Sequence, residues 1–93
     1  MYKCLKVTFS ANFPEGFLSD FVQKHAKNLN LEGTVQVMSM NNKVRVVVCG
    51  PKDDVDQFID LLHKGTPKYS PEDIEIEAYA KDKDYRGVFR VIE

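Results

Sequence analysis

Gly33-Thr34-Val35-Gln36-Val37-Met38-Ser39-Met40-Asn41-Asn42-Lys43-Val44-Arg45-Val46-Val47-Val48-Cys49-Gly50 is the stretch that decides the architecture. Val35 and Val37 recur at every second position, and Val44, Val46 and Val48 do the same after a break, the period of two half-buried strands. Asn41-Asn42 between them is the residue pair that tolerates a left-handed backbone, so a two-residue turn and an antiparallel hairpin are predicted. Working outward, Gly50-Pro51 closes the second strand. Acidic residues follow Pro51, and Gly65 lies just past the last apolar position, which brackets a helix over 52–64 with Val55, Phe58, Ile59 and Leu62 on one face. On the other side of the hairpin, apolar residues at 17, 18, 21, 22, 26 and 29 predict a helix over roughly 17–29.

The outermost segments complete the pattern. Leu5, Val7 and Phe9 alternate with Cys4, Lys6 and Thr8 in a first strand. The two-proline linker 66–71 precedes Ile74, Ile76 and Ala78, which alternate with Glu75, Glu77 and Tyr79, and after the solvated turn 81–84 the segment 88–92 predicts a short edge strand. The order β-α-β-β-α-β with a tail strand is that of an α+β, ferredoxin-like split βαββαβ sandwich: two helices on one face of an antiparallel sheet, the first and third strands central. Ninety-three residues close one such core and no more, so a single domain spanning 1–93 is expected.

Composition narrows the function classes. Thirteen basic against fourteen acidic residues give a formal net charge of −1, no field for gathering phosphodiester or anionic lipid. Lys3, Lys6, Lys43 and Arg45 make at most a weak basic patch on the open sheet face, without the aromatic pattern of an RNA-recognition motif, so no nucleic-acid partner is expected. The N-terminus carries lysines where a signal peptide needs an apolar run, and no segment approaches a membrane span, so a cytoplasmic location without membrane attachment is expected. Cys4 and Cys49 each sit in an apolar strand-like run with no CxxC or His/Cys cluster nearby, and are predicted to be buried, reduced, structural thiols. Asp53, Asp54, Asp56 and Asp60 spread along a solvated helix face, and His25 and His63 stand alone, so neither metal nor cofactor is expected.

Phe21-Val22-Gln23-Lys24-His25-Ala26, followed by Leu29, Leu31, Gly33 and Val35, resembles the acylphosphatase family's F-V-x-x-x-A then L-x-L-x-G-x-V; Gly50, Phe58, Gly65 and Phe89-Arg90 follow in family-like order. The resemblance implies hydrolysis of carboxyl-phosphate anhydrides without metal or cofactor. It also implies a loop after the first strand, V-x-G-x-V-Q-G-V-G-F-R in the family, whose amides cradle the phosphate while its Arg neutralises it and an Asn two positions past the G-x-V valine orients the attacking water. Fixed positive charge, aimed donors and an oriented nucleophile are what such a dianion requires.

The chemical residues of that pattern are missing here. Counting back from Phe21, the Arg column holds Ser19, and counting forward from Val35, the Asn column holds Val37. A one-residue gap that aligns Gly16 with the loop glycine leaves Ser19 in place. The loop equivalent, Asn12, Phe13, Pro14, Glu15, Gly16, Phe17 and Leu18, is altered as well: Pro14 lacks a donor N–H and Glu15 brings a carboxylate to where phosphate would sit. On an ideal helix Lys24 is about 140° round from Ser19 and Lys27 is about 12 Å further down the axis, so neither replaces the guanidinium. Arg45 and Lys6 could serve only if they faced the helices, and the alternation puts them opposite.

Two functions therefore stand side by side. In the first, hydrolysis is lost or nearly lost and the chain acts as a binding or interaction module, with a small anion or a protein partner at the 12–18 loop, as a monomer or weak dimer. In the second, a divergent acylphosphatase works through relocated residues. Phe13, Phe17 and Leu18 either form an exposed apolar lip or fold down over the vacated pocket. A cation converging on the loop amides would favour the enzyme, and an apolar plug from Phe13, Phe17 and Val37 would count against it.

Overall fold

The computed structural model describes residues 2–10, 16–38, 40–65, 73–79 and 88–92. Its strands are β1 (Tyr2–Ser10), β2 (Glu32–Met38), β3 (Lys43–Pro51), β4 (Glu75–Ala78) and β5 (Phe89–Ile92). They form one sheet in the order β4-β1-β3-β2-β5. All pairings are antiparallel except β2 with the tail strand β5, which is parallel. The helical elements are a π-helical segment (Phe17–Gln23) running into α1 (Lys24–Asn28), and α2 (Lys52–Lys64). The arrangement is the expected ferredoxin-like α+β sandwich, with β3 at the centre of the sheet and β1 beside it.

Strand alternation sorts the two faces. Val7 and Phe9 on β1 and Val44, Val46 and Val48 on β3 are fully buried, and they meet Val22 and Ala26 on one helix and Val55, Phe58 and Leu62 on the other. The 55, 58, 62 spacing puts those three residues on one stripe of α2, which is why its opposite face can carry Asp53, Asp60 and His63 in solvent. Gly33 has φ 142°, and a Cβ there would lie 1.8 Å from the Val47 carbonyl oxygen, so only glycine lets β2 run this close to β3. Its N–H donates to the Val88 carbonyl at 3.0 Å and thereby receives the tail strand.

Several sequence expectations need correction. The hairpin turn is longer than two residues: Met38 pairs with Lys43, leaving four residues between the strands, with Asn42 alone carrying the left-handed φ of 52° among those described. The first helix is not uniform, since its N-terminal half is wound as a π-helix, so the azimuths reckoned for Lys24 and Lys27 on an ideal helix do not hold; both residues are exposed. Lys3 belongs to the helix side of β1, where its ammonium meets Asp56 at 2.6 Å, and it is not part of an open-face patch. Finally, Cys4 and Cys49 are joined as a disulfide rather than held as thiols. The reason is the β1–β3 register, which sets the two residues directly opposite with their Cα atoms 4.1 Å apart, a contact invisible in a separation of 45 positions. The expected linker 66–71 and turn 81–84 lie outside the described residues.

Among the described residues no helix is long and apolar enough to cross a membrane, a statement that leaves β-barrels aside. Nor does any group of three or more His, Cys, Asp or Glu side chains converge on a point among those residues.

Candidate functional site

The loop that would hold phosphate leaves β1 after Ser10 and re-enters the described structure at Gly16. Asn12, Phe13, Pro14 and Glu15 lie outside it. Gly16 caps the π-helical segment with φ 85°, and its carbonyl accepts the Asp20 N–H at 2.7 Å. A Cβ on Gly16 would come within 2.8 Å of Asp20 Oδ2, the end of an exposed side chain that can swing away, so it is the left-handed backbone that calls for glycine.

Phe17 and Leu18 point inward, 4% and 6% exposed. Phe17 sets its ring edge-on to Phe9 with centroids 6.4 Å apart, and stacks on Phe21 at 5.0 Å. Phe21 in turn meets the His25 imidazole edge-on at 4.6 Å. Of the two readings of the aromatic loop, the described part follows the second: Phe17 and Leu18 are folded into the core, and an exposed lip loses two of its three members.

Ser19 is exposed at the start of the segment. Its hydroxyl donates to the Gly16 carbonyl at 3.4 Å and lies 3.5 Å from Asp20 Oδ1. A carboxylate and a hydroxyl thus occupy the turn. Val37 sits on β2 opposite Val44, packed against the buried cluster on the helix side of the sheet. An isopropyl group there extends the core and offers nothing to a water molecule.

Arg45 and Lys6, the strand cations weighed as substitutes, are engaged elsewhere. Arg45 lies on the face away from the helices, in register with Thr8, and donates to Gln36 Oε1 at 3.3 Å. Lys6, on the same face, is 3.8 Å from Glu77 Oε1. Lys3 and Lys52 both reach Asp56, at 2.6 and 2.8 Å. Those contacts hold the Asp56 carboxyl below its ordinary value, through hydrogen bonds from Lys3 first and Lys52 second, and the same carboxylate raises Lys52.

Sequence reasoning missed the opposite end of β1. There the Tyr2 hydroxyl donates to Glu32 Oε1, Glu32 is buried, and Cys4 is bonded to Cys49. Glu32 is the β2 partner of Cys49, so all these groups cluster on the open face where β3 ends. Cross-strand pairing is the signal that would have found them, and it needs a register that the spacing of residues within each strand does not contain.

An acylphosphatase family model matches residues 16–91. The acylphosphatase of Caldivirga maquilingensis is 36% identical over 72 residues, covering 77% of this chain and 75% of that protein. The solved acylphosphatase of Coxiella burnetii superposes with a TM-score of 0.81 at 30% identity, over 98% of this chain and 93% of that one. The acylphosphatase of Bacillus subtilis gives a TM-score of 0.82 over the full length of both chains, at 18% identity, a likeness of fold.

Proposed function

This chain belongs to the acylphosphatase family, and we propose that it is a member in which hydrolysis of carboxyl-phosphate anhydrides is lost or nearly lost, leaving a binding or interaction module. What supports the reading is the count along the sequence that puts Ser19 and Val37 in the columns of the family's phosphate-binding Arg and water-orienting Asn, together with the packing of Val37 and Phe17 against the core. A dianionic phosphoryl group approaching Gly16 would meet Asp20 and Ser19 instead of a guanidinium. Losing one preorganised donor from such a site costs about two to three decades in rate, and here an Arg, an Asn and a loop amide are replaced together.

Hydrolysis of a simple aroyl phosphate tests this reading directly. The wild-type chain is expected to remain near the spontaneous rate, and a Ser19→Arg, Val37→Asn double variant to exceed it by about two decades or more. Wild-type turnover far above background would overturn the proposal. An NMR titration with inorganic phosphate supplies a binding readout: amides of residues 16–19 should shift in the double variant well before they do in the wild type.

A further inference from the structure

The β1–β3 ladder places Cys4 and Cys49 on the sheet face opposite the helices, directly across from each other in an unbroken run of nine residue pairs from Tyr2–Pro51 to Ser10–Lys43. Their Cα separation of 4.1 Å belongs to the ladder itself, because directly opposed residues of a non-hydrogen-bonded pair approach to about 4.5 Å. Opening the disulfide therefore does not part the sulfurs, and two thiols would remain within bonding reach on paired strands.

The two cysteines differ in exposure. Cys49 is fully buried on the central strand, flanked by β1 on one side and by Glu32 of β2 on the other. Cys4 is half-buried. The β4 ladder covers β1 only from Leu5 to Thr8, so Cys4 lies just beyond its end, touched by β4's continuation through the Tyr79 N–H to its carbonyl at 3.2 Å.

We propose that this pair is a reversible redox-modification site, in which Cys4 exchanges with low-molecular-weight disulfides and thiols and Cys49 is the resolving sulfur. In the oxidising direction the Cys4 thiolate attacks a small disulfide RSSR: its S–S bond breaks, one RS⁻ leaves and a Cys4–S–S–R mixed disulfide forms. The Cys49 thiolate then attacks Cys4 Sγ, forming the Cys4–Cys49 bond and expelling the second RS⁻. The two protons lost by the protein thiols end on the two RS⁻ groups, so the dithiol gives up two electrons and RSSR becomes two RSH. Reduction runs the same steps backwards, with an external thiolate striking Cys4 and expelling Cys49.

The experiment uses the reduced full chain and oxidised glutathione as probe, followed by intact mass. A folded Cys49→Ala variant should gain one glutathione, a folded Cys4→Ala variant should gain it at least tenfold more slowly, and the wild type should close its own disulfide with the adduct only transient. Without any substitution, iodoacetamide pulses on the reduced wild type should label Cys4 before Cys49 in the peptide map. Equal labelling of the two cysteines, faster modification of Cys49, or a wild type that keeps two free thiols in excess oxidised glutathione would each overturn the proposal.

Discussion

The two ends of β1 are built on opposite plans. At its C-terminal end, where the candidate site lies, the described contacts are mainly apolar: Phe17 edge-on to Phe9, stacked on Phe21, with Val37 and Leu18 beside the same core. At its N-terminal end the ties are covalent, ionic and hydrogen-bonded: Cys4 to Cys49, Lys3 to Asp56, Tyr2 to Glu32. A site that binds a dianion has to keep polar groups unsatisfied by the protein and aimed at the ligand, and that costs stability. In this chain an aromatic ring, Phe17, and an isopropyl group, Val37, pack against the core at the C-terminal end, while the specific polar links lie at the other.

The contrast can be broken by substitution. The largest loss should come from Phe17→Ala, which removes a buried ring and is expected to cost about 3–5 kcal/mol in urea unfolding; a loss below about 1 kcal/mol would mean that the ring covers a pocket without being part of the core. Next comes the covalent end: opening the Cys4–Cys49 link, whose loop spans 45 positions, should lower stability by about 2–4 kcal/mol, with aroyl-phosphate hydrolysis unchanged because the link is remote from Gly16. Gly16→Ala should cost about 1–2 kcal/mol from the left-handed backbone. If Gly16→Ala proved neutral, the cap would have to be free to change conformation.

The smallest effect sharpens the comparison through pH. The Asp56 carboxyl is held below its ordinary value in the folded chain, so its contribution to stability is present above the unfolded carboxylate range and fades as pH falls through the depressed folded value. Because Asp56 is solvent-facing, the change in unfolding midpoint should be slight, while an NMR titration of the side chain should show a midpoint below 3.8 that moves upward in Lys3→Met. An Asp56 midpoint indifferent to Lys3 would remove the ionic tie from the N-terminal end of β1.

The proposal that Ser19 and Val37 occupy the family's Arg and Asn columns comes from counting back from Phe21 and forward from Val35, and needs no coordinates. That Phe17 turns inward was not legible in the sequence, since a loop aromatic is equally compatible with a lip and a plug until its neighbours are placed. Helix α2 was legible to its ends because Pro51 and Gly65 mark them through backbone chemistry local to each residue. The π-helical winding of Phe17–Gln23 escaped because apolar residues at 17, 18, 21 and 22 satisfy an ordinary helical stripe as well.

Local periodicity and backbone preference were enough to specify the strands, the helices, their order and hence the sandwich, since each depends on residues within a few positions of one another. Register between β1 and β3 does not depend on such neighbours. Sliding one strand by two residues preserves every hydrophobic alternation, so only the packed sheet decides that Cys4 meets Cys49 and Thr8 meets Arg45. The covalent tie is a consequence of that non-local fit, and the inward turn of Phe17 against Phe9 likewise depends on packing between segments rather than on neighbours in sequence.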